Sequence, residues 1–188
     1  FRIGNVDWRK VDEEAQANKY RLEVQTEGLR KGLFHWKIEE AKKNGDFHIN
    51  RWTVGMYQSV RKDEWNVNTS RIANIDGTNA EDLSRAEMIG RQQVQEIFRF
   101  LRKYIPGCEQ AKLMTVASTI GIRESRHIQG KSTLNTDDVL NGKVPQDAIL
   151  LASNSIDVHA GAGEASGTKY VTIQHGEWYG VSFRSLVP

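Results

Sequence analysis

Charged side chains cluster in the segment GIRESRHIQGKSTLNTDDV, which runs from Gly121 to Val139. Arg123, Glu124 and Arg126 follow directly on the run MTVASTIGI, whose composition is typical of a buried strand. A guanidinium that enters a cleft from such a strand presents forked, planar donors to a carboxylate, a carbonyl or a ring oxygen. The spacing alone favours the simpler interpretation, an ion pair between Glu124 and Arg126 at the end of a strand.

A second candidate lies in the segment SIDVH, where Asp157 and His159 are two residues apart. On a strand, both side chains face the same side and could share a proton or a metal ion. Histidine titrates near neutral pH, which suits proton transfer. A structural Asp–His pair is an equally good interpretation. No third ligand accompanies the two residues, so we do not predict a metal site.

The bulk composition limits the classes of function. The 188 residues are 38% hydrophobic and 27% charged, which is typical of one globular domain, and we predict a single domain over residues 1–188. The net charge of +2 provides no general attraction for nucleic acid or an anionic membrane. Cys108 is the one cysteine, so an internal disulfide is excluded. This is compatible with a cytoplasmic protein and does not exclude an exported one.

Helical patterns occur in three places. Residues 11–43 predict two helices, the second ending near Asn44-Gly45, where glycine supplies a left-handed cap. The sequence Ser84-Arg85-Ala86-Glu87 has the form of a capping box and predicts the start of a long amphipathic helix, which ends before Pro106-Gly107. A short helix capped by Asn135 or Thr136 follows and is closed by Gly142.

Strand patterns occupy much of the remaining sequence. Residues 49–60 and 65–75 predict a hairpin, and Lys112 to Arg123 predict a strand too apolar for an exposed edge. The segments DAILLAS, YVTIQ and WYGVSFRSL predict further strands, with a turn at residues 175–177. Because helices and strands do not alternate regularly, we predict an α+β fold. It would consist of a largely antiparallel sheet packed by the long amphipathic helix, with an N-terminal helical segment.

The sequence contains no motif for binding nucleotide phosphates. It has neither the glycine fingerprint of dinucleotide-binding folds nor a P-loop. The glycines of AGAGEASG, at positions 161, 163 and 167, do not open a helix after a strand and indicate a loop. No nucleophile elbow is present either.

Four segments carry a family resemblance: RIANIDGTNAEDLSRAEMIGRQQVQEIFRFLRKYIPGCE, GIRESRHIQGKSTLNTDDV, SIDVH and SFRSLVP. They resemble the FAD-dependent oxidoreductase family, whose bacterial members include xanthan lyase-like proteins. The likeness continues in register from FRIGNVD to the last residue. His127 departs from the family pattern, which often has a second arginine there. The family commonly shows an aromatic-Ile-Pro-Tyr-Arg pattern before SLVP, whereas residues 179–184 read YGVSFR and have no Pro-Tyr pair before the Arg.

The resemblance implies that different segments of a longer protein bind the cofactor and the substrate. Such proteins open with a Rossmann-type segment that holds the FAD pyrophosphate, and a later segment completes the flavin site. The resemblance therefore implies that this chain is the inserted substrate-side domain of a longer flavoprotein. FAD would be the cofactor of that parent, and we do not expect this domain to bind it alone. Its partners would be the FAD-binding domain of the same chain and a small-molecule or carbohydrate substrate, with weak homodimer formation through exposed apolar surface.

The same resemblance assigns roles to residues. Arg123 would stabilise developing negative charge on flavin or substrate, and His159 would donate or accept a proton. Arg126 and Arg184 would contact the cofactor. The substrate-binding candidates are Glu124, Asp157 and Tyr179.

Two alternatives stay open on the residues alone. The first is a stand-alone carbohydrate-binding or polysaccharide lyase-associated module, in which Trp52, Trp65, Trp178 and Tyr179 stack on sugars. The second is a hydrolase or lyase that uses paired carboxylates together with Asp157 and His159, and it would turn over without flavin.

Overall fold

The structure is a computed structural model that describes residues 1–18, 25–26, 29–30, 32–123, 125–159, 168–171 and 178–188. For residues 25–26, 29–30, 157–159 and 168–171 only the backbone is described. The chain divides into two compact units. The described part of unit 1 lies within Phe1–Arg123, and that of unit 2 lies within Glu124–Ala160 and Thr168–Pro188.

Unit 1 contains a four-stranded antiparallel sheet. The six strands described in unit 1 are, in chain order, β1 (Arg2–Gly4), β2 (Gln25–Thr26), β3 (Leu29–Arg30), β4 (Gly55–Gln58), β5 (Trp65–Asn68) and β6 (Lys112–Thr115). The sheet has the order β4-β5-β1-β6, while β2 and β3 form a separate pair. The central strand β1 places Ile3 opposite Trp65 of β5 and Leu113 of β6, and Ile3 is fully buried. The predicted hairpin is confirmed as β4 and β5, although both strands are shorter than the sequence pattern suggests.

The described part of unit 1 also contains three helices: α1 (Trp8–Ala17), α2 (His35–Lys43) and α3 (Ala80–Tyr104). Buried side chains of α2 and α3 share one hydrophobic core with the sheet. In this core the rings of Phe47 and Phe100 lie 5.1 Å apart. The end of α2 is confirmed, because Gly45 has a φ of 74° just after the helix.

The start of α3 differs from the prediction. The helix begins at Ala80, and the side chain of Asn79 caps it by accepting hydrogen bonds from the backbone N–H groups of Glu81 and Asp82. Ser84, which we predicted as the cap, lies inside the helix and donates to the carbonyl of Ala80 at 2.9 Å. The predicted capping box was therefore wrong, because a second capping residue starts the helix earlier.

The strand predicted over residues 112–123 was also wrong in its length and its burial. Strand β6 ends at Thr115, lies at an edge of the sheet and is largely exposed. The chain beyond it makes hydrogen bonds to side chains of α3: the N–H of Ile120 donates to Glu87 at 2.7 Å, and Arg91 donates to the carbonyl of Ser118. These contacts replace strand pairing over residues 116–123.

Unit 2 is built from short elements: α4 (Thr136–Leu140), β7 (Ala148–Ala152), β8 (Ile156–His159), β9 (Thr168–Val171), β10 (Tyr179–Ser182) and a 3₁₀ turn (Phe183–Leu186). Strands β7 and β10 form one antiparallel pair, and β8 and β9 form another. The predicted short helix is confirmed, since Asn135 and Asp138 form a capping box and Gly142 has a φ of 59°. The predicted strand WYGVSFRSL ends at Ser182.

The predicted α+β class is confirmed. Every strand pair in the described part is antiparallel, and helices and strands are mixed without regular alternation. The predicted turn at residues 175–177 and the glycine loop at 161–167 lie outside the described residues. Among the described helices, none combines the length and apolar character that crossing a bilayer requires.

Candidate functional site

Arg184 lies on the 3₁₀ turn after β10, and not on a strand as predicted. Its Nε donates to Oδ2 of Asp147 at 3.0 Å, and the hydroxyl of Ser182 donates to the same oxygen at 2.6 Å. Two hydrogen bonds hold the pKa of Asp147 well below its usual range, and the bond from Arg184 has a larger effect than the bond from Ser182. Asp147 is therefore charged at neutral pH, and it balances the charge of Arg184.

The loop that carries Arg126 is fixed against the same turn. The N–H of Lys131 donates to the carbonyl of Val187 at 2.8 Å. A Cβ atom at Gly130 would lie 2.5 Å from the carbonyl oxygen of Ser185, so only glycine permits this close approach. The turn and the loop thus form one arrangement in unit 2, in which Arg126 lies four residues before a fixed point.

The two arginines of this arrangement differ in their surroundings. Arg126 is exposed, and among the described residues it makes no ion pair. Arg184 is held by Asp147 and has less freedom to turn toward a ligand. Arg126 is consequently the better candidate for direct contact with an anionic group.

The other predicted site residues are brought together only in part. Arg123 is exposed and belongs to unit 1, outside any strand, so the prediction that it enters from a buried strand was wrong. Glu124 lies outside the described residues, which leaves its pairing with Arg126 a prediction. Tyr179 is half-buried on β10, opposite Ala152.

Strand β8 spans both Asp157 and His159, which is the condition under which the two residues share a face. It pairs with β9, with Asp157 opposite Tyr170 and His159 opposite Thr168. The side chains of β8 beyond Ile156 lie outside the described part, so the proton-sharing pair stays a prediction. In the part of the chain that is described, no three His, Cys, Asp or Glu side chains group as a metal site would require.

The sequence reasoning missed Asp147. It precedes Arg184 by 37 residues, and no local motif links an aspartate before one strand to an arginine after another. Only the pairing of β7 with β10 brings the two side chains together.

The described residues lack the parallel strand pairing on which a Rossmann-type cradle for the FAD pyrophosphate is built. Such a cradle needs the open N-terminus of a helix that follows a strand in a parallel sheet. At α3, the longest helix, Asn79 already occupies the first N–H groups, and Glu81 and Asp82 bring negative charge that repels phosphate. Strands in the described part pair only in the antiparallel direction.

The family model described as FAD dependent oxidoreductase matches residues 1–188, the whole length of the sequence. The chain belongs to the FAD dependent oxidoreductase family. FAD is the cofactor that the family name gives to its members, and the family part of the resemblance is confirmed. No curated protein and no solved structure matches the chain.

Proposed function

We propose that this chain is the substrate-side part of an FAD-dependent oxidoreductase, and that another segment of the same enzyme holds the FAD. The observation that carries the proposal is the combination of a family match over residues 1–188 with a described fold whose strands pair only antiparallel, unlike the parallel sheet of a Rossmann-type FAD-binding segment. In this division, the family's cofactor supplies the redox chemistry. The present chain supplies orientation and charge around the substrate.

The apolar surface of unit 2 supports a partner in the same enzyme. Three consecutive residues of β7, Ile149, Leu150 and Leu151, are 49%, 48% and 57% exposed. Successive strand residues point to opposite faces, so both faces of this two-stranded sheet carry exposed apolar side chains. An isolated two-stranded sheet is marginally stable in water, and a packed partner would stabilise it. We assign this role to the FAD-binding domain.

The charged residues around the 3₁₀ turn would serve the flavin. Arg126, exposed and without an ion pair in the described part, would contact the cofactor directly. Arg184 would act with its charge largely balanced by Asp147. Arg123 belongs to unit 1 and not to this turn, and it keeps its proposed role of stabilising negative charge that develops on flavin or substrate.

The remaining site residues would serve the substrate. His159 would donate or accept a proton, for which an imidazole with an unperturbed pKa near neutrality is suited. Glu124, Asp157 and Tyr179 would contact the substrate by hydrogen bonds. The half-buried position of Tyr179 on β10 is compatible with a contact made at the edge of a pocket.

The flavin midpoint potential tests these roles without a known substrate. In the enzyme that contains this chain and bound FAD, Arg126→Gln removes a positive charge that favours the reduced, anionic flavin. We expect a shift to more negative potential by about 30 mV, which corresponds to about 1.4 kcal/mol for a two-electron couple. Arg184→Gln should shift the potential less, because Asp147 already balances that charge.

Arg61→Gln is the matched control. Arg61 is an exposed arginine of unit 1 that pairs with Asp63 and Glu64, and its replacement should leave the potential unchanged. Equal potentials for the Arg126→Gln variant and the parent enzyme would contradict the assignment of Arg126 to the flavin.

One observation favours the carbohydrate-binding alternative. Trp178 is 59% exposed and directly precedes the half-buried Tyr179. The other proposed platforms are less open: Nζ of Lys42 lies 3.8 Å from the ring centre of Trp52, and Nε1 of Trp65 donates to the carbonyl of Lys62. Titration of tryptophan fluorescence with acidic oligosaccharides tests this alternative. A change that Trp178→Ala abolishes would favour it, whereas an unchanged signal in the parent chain would count against it.

A further inference from the structure

The three methionines of the chain differ in exposure, and all of them belong to unit 1. Met88 on α3 and Met114 on β6 are both more than half exposed, whereas Met56 on β4 is buried in the hydrophobic core. Peroxide oxidises a thioether where it reaches the sulfur, and the sulfoxide that forms is polar. Exposure therefore separates Met88 and Met114 from Met56.

Met114 occupies a β-bulge at the edge of the four-stranded sheet. Ile3 of β1 lies opposite Leu113, and Arg2 of β1 lies opposite Thr115. Strand β6 thus has one residue more than β1 between these two pairs, and that residue is Met114. A bulge leaves its extra residue out of the regular ladder and redirects the side chain.

The redirected side chain of Met114 lies over Gly4, a buried residue of β1. A Cβ atom placed on Gly4 would lie 3.0 Å from Sδ and 3.1 Å from Cγ of Met114, which is closer than van der Waals contact. Cγ of Glu64 lies 3.8 Å from the same position. The space between the sulfur and Gly4 therefore has no room for a further atom.

Oxidation of Met114 adds an atom to this contact. Peroxide transfers one oxygen atom to Sδ: the O–O bond breaks, an S–O bond forms, and the second oxygen leaves as water. The sulfur loses two electrons, and these electrons reduce the peroxide. The sulfoxide oxygen either enters the space over Gly4 or turns the side chain toward solvent, and both outcomes remove the packing between the bulge and β1.

We propose that Met114 is an oxidation site at which peroxide weakens the attachment of β6 to the sheet of unit 1. Strand β6 is sensitive to this loss, because in the described part its one neighbour in the sheet is β1. Met88 is not among the residues that α3 buries, so its oxidation should leave the packing of the helix intact. The site does not depend on the proposed function, because all of its contacts belong to unit 1.

Treatment of the folded chain with hydrogen peroxide tests the site. Peptide mass spectrometry measures the oxidation of each methionine, and calorimetry measures the melting temperature of the product. We expect Met88 and Met114 to oxidise at rates within about threefold of each other, and Met56 to oxidise at least about tenfold more slowly. The melting temperature should fall by about 3 °C. Reduction by methionine sulfoxide reductases should restore it.

Two matched variants assign the loss to one sulfur. Met114→Leu keeps an apolar side chain of similar volume, so it should fold normally and lose no more than about 1 °C on peroxide treatment. Met88→Leu should lose as much as the unmodified chain, about 3 °C. Because Met114 is then the one exposed methionine that is left, Met88→Leu also keeps the test valid if Met114→Leu does not fold. Cys108 is buried and is common to all of these proteins.

Amide hydrogen exchange locates the change in the fold. After oxidation, the protected amides of β1 and β6 should exchange about tenfold faster. The N–H of Ile120, which Glu87 of α3 holds at 2.7 Å, should exchange at its former rate. An equal acceleration at Ile120 would mean that unit 1 as a whole is destabilised, which contradicts a local effect at the sheet edge.

Three further results would overturn the proposal. The first is that Met114 oxidises as slowly as Met56 in the folded chain. The second is that oxidised Met114 leaves the melting temperature of the unmodified chain and of Met88→Leu unchanged. The third is that peroxide lowers the melting temperature of Met114→Leu as much as that of the unmodified chain.

Discussion

The two units differ most in what they bury. The hydrophobic core cluster of the described residues lies entirely in unit 1, where Phe34, Ile97 and Leu101 have no exposed surface. Unit 2 is smaller, yet most of the exposed large hydrophobic side chains in the described part belong to it. Among the described residues of unit 2, the hydrophobic side chain that is buried is Val139, on the short helix α4.

This difference indicates that the two units are stabilised in different ways. Unit 1 has a long helix packed on a four-stranded sheet and can be stabilised by its own core. Unit 2 pairs its strands two by two and leaves apolar faces in water, which favours a partner. The proposed substrate-side role agrees with this difference, because an FAD-binding domain would supply that partner.

The largest expected effect tests the core of unit 1. Phe100→Ala removes a ring that packs on Phe47 and Tyr104, and it should lower the free energy of unfolding by about 3–5 kcal/mol. Phe183→Ala, at a site 55% exposed in unit 2, should change it by less than about 0.5 kcal/mol. Urea denaturation of both variants measures this contrast. Similar losses of unfolding free energy for the two variants would contradict the contrast between unit 1, which has its own core, and unit 2, which leaves apolar side chains exposed.

Thiol labelling gives the next largest contrast. Cys108 is fully buried in unit 1, and burial, with a smaller contribution from the charge of Glu109, raises its pKa to about 12. Because the thiolate is the reactive form, Cys108 should react with a disulfide reagent roughly a thousandfold more slowly than an exposed thiol. A cysteine introduced by Leu150→Cys in unit 2 should react at the rate of a free thiol. Fast labelling of Cys108 in the folded chain would show that unit 1 opens readily.

Self-association should report the apolar faces of unit 2. We expect the chain to associate weakly at high concentration, and the double variant Leu150→Glu, Leu151→Glu to weaken association about tenfold. Met88→Glu, at an exposed apolar site on α3, is the control and should have little effect. Light scattering over a range of concentrations measures this, and a strictly monomeric parent chain would contradict the prediction.

The smallest expected effect concerns the pH dependence of unit 2. Arg184 and Ser182 depress the pKa of Asp147, so the pair favours folding above the ordinary Asp value of about 3.9 and loses this contribution as the pH falls below it. Asp147→Asn should lower the melting temperature at about pH 7 and reduce its further fall toward about pH 3. Asp137→Asn, an exposed carboxylate of α4, is the control. Identical profiles of melting temperature against pH for the parent chain and Asp147→Asn would contradict a stabilising role of the Asp147–Arg184 pair.

The sequence was a good guide where periodicity alone decides an element. The β4–β5 hairpin and the end of α3 before Pro106 follow from local patterns, and both are confirmed. The start of α3 was not decided by local pattern, because Asn79 and Ser84 are both favourable N-cap residues. The structure uses Asn79, and the helix continues through Ser84.

Long-range contacts account for the other errors. Residues 116–123 have the composition of a strand, but Ile120 finds its hydrogen-bond partner in Glu87, 33 residues earlier. Arg184 was predicted as a site residue, whereas its partner Asp147 was not, since their proximity depends on strand pairing. Sequence spacing does not reveal which distant side chains a fold brings together.

Flavin retention tests the central claim most directly. The purified chain is mixed with excess FAD and desalted, and the visible absorbance of the bound flavin is compared with the protein concentration. Our account predicts that the chain retains no flavin, whereas an enzyme that joins it to its FAD-binding segment retains one equivalent. Retention of one equivalent of FAD by this chain alone would contradict the substrate-side assignment.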